Sequence, residues 1–282
     1  MLNTHNITGL NQLNTGLALD ISHMIEICGK YDNTTYDIFM DNGENCNDIK
    51  CFYYYIEDGI IVSFLSLFMP FEDCLNVYGC TLPAYRNKGI FTLLLSALTN
   101  ELKQHDISSD ILTFPIKSKS PAFKNAIQYL NNRHYSIKDT EYMLSYDLRN
   151  TTNKQDETHL TSDISNLELE YEETENENEY SLWLDNNYIG GCLIYYSNIN
   201  NDNNDYDNHS GTSVTATIYD YGIADKYQGL GYGKAGLKLI LDSLKHNNIS
   251  YVILHTSGSN KKAFNLYTGC GFNIIDSIDY YS

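Results

Sequence analysis

Apolar residues along this chain follow two periods, an alternation typical of strands and a spacing of three to four typical of helices. In the first half these patterns predict a strand hairpin, a strand, a helix, a strand, a helix and a strand, at residues 51–56, 60–69, 77–81, 92–103, 111–114, 122–130 and 142–148. In the second half they predict two strands, a helix, a strand, a short helix and a last strand, at residues 188–196, 214–223, 234–245, 251–255, 260–268 and 272–277. The shared order, offset by about 142 residues between Arg86 and Gln228, indicates an internal duplication.

The composition changes near residue 150, where a polar and acidic stretch begins. Residues 150–180 predict a linker followed by an exposed strand at 167–171, and residues 197–213, rich in Asn and Asp, predict a long mobile loop. The sequence therefore predicts an α+β chain of two tandem domains, residues 1–150 and 151–282.

Charge and cysteine content narrow the class of protein. Lys and Arg total 18 against 36 Asp and Glu, a net charge of −18, which argues against a nucleic-acid partner and an anionic membrane surface but is compatible with a cationic partner. The N-terminus lacks the order of a signal peptide, and the longest apolar stretch, residues 60–71, is too short to span a bilayer. The seven Cys form no CxxC pair and no group with metal-ligand spacing, so we expect reduced thiols, a cytoplasmic location and no metal.

A glycine-rich turn, Gln228-Gly-Leu-Gly-Tyr-Gly233, lies between a predicted strand and a predicted helix. Such a turn points successive backbone N–H groups and the positive helix end at one place, which suits a phosphate group. A P-loop is excluded, because Gly233-Lys234 is followed by Ala235. Residues 231–236 match the dinucleotide fingerprint by letters and leave a nucleotide-dependent oxidoreductase open, although no acidic residue ends the next strand.

The turn is followed about thirty residues later by a second motif, Asn260-x-x-Ala263-x-x-Leu266-Tyr267-x-x-x-Gly271-Phe272. Together the two motifs resemble those of the GNAT superfamily of N-acetyltransferases, over residues 214–277. The resemblance implies a mixed, mostly antiparallel, splayed sheet flanked by helices in each domain, and acetyl-CoA as co-substrate. It implies an acyl-CoA site made of Tyr221, Ile223, Gln228, Gly229, Leu230, Gly231, Tyr232, Gly233, Lys234 and Asn260, with Tyr267 as the general acid for the leaving thiolate. Thr217 stands where some family members carry a Glu base, so no base is assigned.

The first half resembles a diverged copy of the same domain. It keeps Arg86 and Gly89 but has Phe91 at the second small position, and no Gly-Phe follows Tyr129. We expect this half to shape the acceptor cleft rather than to catalyse independently. Two such domains in one chain favour a monomer that is an internal pseudo-dimer, or a weak dimer.

The resemblance implies transfer of an acetyl group from acetyl-CoA to a primary amine. The net charge of −18 favours a cationic small molecule or peptide as the acceptor. The alternative is a non-catalytic acyl-CoA-binding or regulatory protein, for which the Tyr267 acid would be superfluous. On the predicted strand before the turn, Thr217, Tyr219 and Tyr221 share one parity, which predicts that they line one face of the groove.

Overall fold

The computed structural model describes residues 4–40, 49–71, 74–149, 166–173, 178–199 and 213–282. The helices are α1 (Thr15–Asp32), α2 (Ile90–Gln104), α3 (Lys124–Asn131), α4 (Tyr232–His246) and α5 (Lys261–Gly269). The strands are β1 (Ile7–Leu10), β2 (Phe52–Glu57), β3 (Ile60–Phe71), β4 (Cys74–Thr81), β5 (Leu112–Ile116), β6 (Ile137–Asp147), β7 (Leu167–Glu173), β8 (Asn178–Leu184), β9 (Asn187–Ile199), β10 (Ser213–Ile223), β11 (Tyr251–Ser257) and β12 (Asn273–Tyr281). The predicted linker at 150–165 and most of the predicted loop at 197–213 lie outside the described residues.

The chain forms two compact units. The N-terminal unit contains residues 1–139 and 278–282, and the C-terminal unit contains residues 140–277. The division differs from the composition change near residue 150 because of strand pairing: most of β6 pairs with β11 of the C-terminal unit, whereas Asp279–Tyr281 of β12 pair with β5 of the N-terminal unit. Backbone hydrogen bonding, which composition does not reveal, therefore sets where the units divide.

The N-terminal unit is a mixed sheet in the order β1-β2-β3-β4-β5, followed by the end of β12. The β4–β5 pair is parallel and the other pairs are antiparallel. The predicted hairpin is confirmed, with Asp58 and Gly59 both at positive φ in its turn. Buried leucines at i, i+4 and i+8 of α2, Leu94, Leu98 and Leu102, pack in the core of this unit.

The C-terminal unit repeats the arrangement in the order β6-β11-β10-β9-β8-β7. Here β10 and β11 are the parallel pair, and the neighbouring pairs are antiparallel. Buried residues of α4 with helical spacing, Leu237, Ile240, Leu241 and Leu244, form its core with β-strand residues. Each unit is therefore the mixed, mostly antiparallel sheet with flanking helices that the sequence predicts.

Candidate functional site

The glycine-rich turn joins β10 to α4 in the C-terminal unit. A short 3₁₀ turn, Asp225–Tyr227, leads into it, and α4 begins at Tyr232. Gly229 has φ 76° and Gly231 has φ 91°, a conformation that L side chains disfavour. The N–H groups of the first helical residues have no intrahelical acceptor and point out of the helix start. The turn therefore has the backbone geometry of an anion cradle.

The side chain of Gln228 holds this turn onto β10. Its Nε2 donates to the backbone oxygen of Ile223 at 2.8 Å and to Oδ1 of Asp225 at 3.0 Å. The Gln228 side chain, which the resemblance predicts to be part of the ligand site, thus stabilises the turn through hydrogen bonds within it. Leu230 and Lys234 are exposed at the loop and the first helical turn.

The parallel strands β10 and β11 beside the turn separate, as the family resemblance implies. Pairing of β10 with β11 extends from Thr215↔Tyr251 to Ile218↔Leu254 and stops there. At that point β10 has a bulge, with Asp220 at φ 51° and a register shift between Tyr219 and Gly222. A bulge inserts one residue and inverts the alternation beyond it.

The bulge overturns the prediction that Tyr219 and Tyr221 line one face. Tyr219 is half exposed. Tyr221 turns toward α4, where its hydroxyl donates to the backbone oxygen of Gly233 at 2.6 Å. Burial raises the pKa of Tyr221 well above its ordinary value. Tyr221 therefore lies at the gap, beside the start of α4, as a structural neighbour of the loop.

Tyr267, the predicted acid, lies on α5 beside this gap. It is 6% exposed, and its ring centroid is 6.5 Å from that of Tyr221. Burial, with a smaller contribution from Cys192, raises the pKa of the Tyr267 phenol, so it is protonated at neutral pH and can donate a proton.

Asn260, predicted to contact the ligand, caps α5. Its side-chain oxygen accepts from the backbone N–H of Ala263 at 3.1 Å. This contact orients the helix that carries Tyr267. A direct contact of Asn260 with the co-substrate stays a prediction.

A hollow of about 420 Å³ opens beside the bulge, on β9 and β10. The residue pattern of the sequence does not reveal it, and three glycines, Gly190, Gly191 and Gly222, line it. Cβ atoms on Gly190 and Gly191 would overlap the backbone oxygens of Gly222 and Tyr180, so side chains are excluded there. Glu179, Asp220 and Ile223 also line the hollow, which we call the acidic hollow. Among the residues that the structure describes, neither carboxylate has an ion-pair partner.

The N-terminal unit contains a second copy of the turn. Nε of Arg86 donates to the Thr81 oxygen at 2.9 Å, five residues back, as Gln228 does to Ile223. Gly89, at φ 81°, precedes α2 as Gly231 precedes α4, and both helices have 15 residues. The duplication inferred from the sequence is thus a duplication of local backbone geometry.

The copies differ where the chemistry is expected. The backbone N–H of Tyr135 donates to Leu130 O at 3.2 Å, just as that of Phe272 donates to Tyr267 O at 3.1 Å, so Leu130 occupies the position of Tyr267. Phe91 stands in the place of Gly233. The predicted acid therefore has no counterpart at the same position in the N-terminal unit.

Comparison with known proteins agrees with this geometry. Residues 143–272 match the family model described as the acetyltransferase (GNAT) family. No curated protein matches the chain. A GCN5-related N-acetyltransferase from Sphaerobacter thermophilus is similar over 98% of this chain and 95% of its own, with 12% identity and a TM-score of 0.62.

Two further solved structures have the same fold. One is a tandem GNAT protein from the clavulanic acid biosynthesis pathway, with 12% identity and a TM-score of 0.60 over 98% of this chain and 97% of that one. The other is the glucosamine N-acetyltransferase region of a fungal multi-domain β-N-acetylglucosaminidase, with 11% identity and a TM-score of 0.60 over 98% of this chain and 38% of that one.

The chain thus consists of two repeated sheet units, each with a glycine at positive φ directly before a 15-residue helix. Residues 143–272, within the C-terminal unit, match the GNAT family model, and the chain as a whole has the fold of tandem GNAT proteins. No described helix is both long and apolar enough to cross a membrane. The described residues contain no group of three or more His, Cys, Asp or Glu placed to hold a metal ion.

Proposed function

We propose that the chain is an N-acetyltransferase whose C-terminal unit transfers an acetyl group from acetyl-CoA to a cationic primary amine. The observation that carries the proposal is the convergence of three features at the end of β10: the Gly229–Gly231 turn, the buried phenol of Tyr267 and the acidic hollow. The reaction needs an anion-binding site, a proton donor and a place for the amine, and the three features correspond to these in that order.

The loop fits the diphosphate of CoA. A Cβ atom at Gly229 would meet nothing within 4 Å, so the space over the loop is open. The amides at the helix start would donate hydrogen bonds to phosphate oxygens, and the Lys234 ammonium adds positive charge on the first turn. In the gap, Leu266 Cδ2 and Ile223 Cγ1 lie 3.5 Å and 3.8 Å from where a Gly233 Cβ would be. These two apolar side chains therefore lie beside the start of α4, next to where the pantetheine arm would pass.

Acetyl-CoA would supply the activated thioester, and the residues of the chain supply position and protons. Most of the rate comes from holding both substrates in one cleft. Tyr267, neutral because its pKa is raised, would give its proton to the departing thiolate. Glu179 and Asp220 would attract the ammonium form of the acceptor to the acidic hollow, next to Ile223. The ammonium group would release one proton to water before its nitrogen attacks the thioester carbon. The second proton lost from nitrogen as the C–S bond breaks would return Tyr267 to its neutral form.

Thiol release measured with acetyl-CoA and a panel of amines tests the proposal, using Tyr267→Phe with Tyr180→Phe as matched control. Tyr180 is a buried tyrosine of the same core cluster, with its hydroxyl 3.1 Å from that of Tyr196. We expect Tyr267→Phe to lower kcat by about 100-fold with little change in the KM for acetyl-CoA. Tyr180→Phe should stay within about threefold of wild type. Thiol release at the normal rate by a folded Tyr267→Phe would remove the acid role, and acetyl-CoA binding without turnover on any amine would favour the non-catalytic alternative.

The acceptor class has its own test in the variant Glu179→Gln/Asp220→Asn. Asparagine tolerates the left-handed backbone of residue 220, so the substitution removes charge without strain. We expect the KM for polyamines or aminoglycosides to rise about tenfold or more, with neutral amines unaffected. Equal effects on cationic and neutral amines would exclude charge recognition by the acidic hollow.

A further inference from the structure

Two cysteines meet in the core of the N-terminal unit. Cys28 lies on α1 and Cys80 lies near the end of β4, and both are buried free thiols. Because α1 packs on β3 and β4, the two thiols are in hydrogen-bonding contact with each other. A disulfide requires two cysteines whose backbones are already close and whose side chains face each other, and this pair comes from facing elements.

A guanidinium group lies beside the pair. Arg86 binds Asp32 through two hydrogen bonds of 2.7 Å and 2.6 Å, and its Cζ lies 5.5 Å from the ring centroid of Tyr31. The same guanidinium also hydrogen-bonds to the Cys28 thiol. Asp32 follows Cys28 by one helical turn, so the helix that carries the thiol also holds the cation next to it.

These contacts give the two thiols different acidities. The hydrogen bond from Cys80 and the charge of Arg86 lower the pKa of Cys28 below its ordinary value, although burial and the Asp32 charge act in the opposite direction. The contact with Cys28, together with burial, raises the pKa of Cys80 well above its ordinary value. The thiolate is the nucleophilic form of cysteine, so Cys28 is suited to attack first and Cys80 to react second.

The pair is accessible to small molecules. Cys80 and Arg86 line a cavity of about 540 Å³ that lies between β4 and β5. Helix α1 is attached through a narrow apolar stripe, because only Ile21, Met24 and Cys28 of its eighteen residues are buried. An element with few buried apolar contacts opens locally at low free energy, which exposes the Cys28 sulfur to the same cavity.

We propose that Cys28 and Cys80 are a thiol modification site, at which a small hydroperoxide forms a reversible disulfide between α1 and β4. The Cys28 thiolate attacks one peroxide oxygen, the O–O bond breaks, and the leaving oxygen takes up a proton and departs as water or an alcohol. Cys28 is then a sulfenic acid. The Cys80 sulfur attacks the Cys28 sulfur, its proton goes to the departing hydroxyl group, and the S–S bond forms as water leaves. The two sulfur atoms lose two electrons, and the peroxide gains them.

Peptide mapping of the full chain tests the site. Hydrogen peroxide is added to the reduced protein at neutral pH, the remaining thiols are alkylated, and the protein is digested without reductant and analysed by mass spectrometry. We expect one disulfide, between the peptides of Cys28 and Cys80, that dithiothreitol removes. Two other cysteines of the same unit, the buried Cys51 and the half-buried Cys74, are internal controls and should stay reduced.

Single variants assign the two steps. In Cys80→Ser the sulfenic acid at Cys28 has no second thiol to react with, so dimedone should label it at least about tenfold more than it labels Cys80 in Cys28→Ser. Cys74→Ser, a change on the same strand as Cys80, should form the disulfide at the rate of the wild type. Thermal melting checks that the serine variants are folded, and Cys28→Ala or Cys80→Ala replaces any that is not.

The proposal is overturned if peroxide leaves both thiols free, if each is oxidised separately to the sulfinic acid, or if either thiol cross-links to other cysteines as often as to its neighbour. A disulfide that forms only in urea would also overturn it, because the reaction would not depend on the folded contact. Equal dimedone labelling of the two thiols would contradict the attack by Cys28. The oxidation needs neither acetyl-CoA nor an amine, so its outcome is independent of the proposed acetyltransferase activity.

Discussion

Gly231 offers a sharp test of the loop, because its backbone conformation has a twin in the other unit. Gly231 has φ 91° and Gly89 has φ 81°, each directly before a 15-residue helix. A Cβ atom in a left-handed conformation costs about 1–2 kcal/mol. Alanine at either position should therefore lower the melting temperature by about 2–8 °C, at about 2–4 °C per kcal/mol for domains of this size class.

The two variants should differ in their use of acetyl-CoA. In Gly231→Ala the methyl group and the strained turn misplace the amides that would hold the phosphates, so we expect the KM for acetyl-CoA to rise at least tenfold, about 1.4 kcal/mol. In Gly89→Ala the same strain acts in the unit that lacks the Tyr267 equivalent, and the KM should stay within about twofold. Thiol release against acetyl-CoA concentration is the assay. An unchanged KM in a destabilised Gly231→Ala, or an equal rise in both variants, would refute this reasoning.

Three further predictions follow from side-chain pairs and charge. Asp32→Asn should lower the free energy of unfolding in urea by about 3 kcal/mol, because the largely buried Arg86 guanidinium loses its carboxylate partner. Asp37→Asn, at the more exposed ion pair with Lys117, should lower it by under about 1 kcal/mol. Burial alone would raise the pKa of Asp32, but hydrogen bonds from Arg86 and Tyr36 lower it below the ordinary Asp value. The ionised Asp32 therefore stabilises the fold fully above the ordinary Asp pKa, and this contribution is lost as pH falls through the lowered pKa. Asp32→Asn should accordingly make the stability of the protein less dependent on pH in the acid range. For a cationic acceptor, kcat/KM should fall as salt rises past about 0.1 M, and a salt-independent value would count against electrostatic steering.

The strongest sequence signals were local and repeated. The glycine-rich turn and the helix after it follow from residue type, since positive φ selects glycine and the leucine spacing selects a helix. The duplication was visible because Arg86 and Gln228 each begin such a turn. In the structure both side chains donate to the carbonyl oxygen five residues back, which explains why a long donor side chain is kept at both positions.

Other features depend on contacts distant in sequence. Helix α1 was missed because only Ile21, Met24 and Cys28 of its eighteen residues are buried, too thin an apolar stripe among polar residues. The bulge at Asp220 carries no sequence mark, and it reversed the expected direction of Tyr221. The acidic hollow is lined by residues of β9 and β10, which pair at Gly191↔Gly222 although they lie far apart in sequence.

The cavity of the N-terminal unit also escaped prediction. Phe91 stands at the second small position of the motif, and its ring packs against Tyr129 and lines an open space between the separated strands. Strand separation depends on how many residues pair, and only two pairs hold β4 to β5. A single bulky residue in a motif therefore does not determine whether a cavity exists.

The most direct test of the central claim is acetyl-CoA-dependent thiol release with a cationic amine, compared between wild type and Tyr267→Phe under saturating acetyl-CoA. We expect thiol release that requires the amine, yields the acetylated amine by mass spectrometry, and falls about 100-fold in Tyr267→Phe. This expectation would be contradicted if no amine in the panel were acetylated, or if the folded variant acetylated the amine as fast as the wild type.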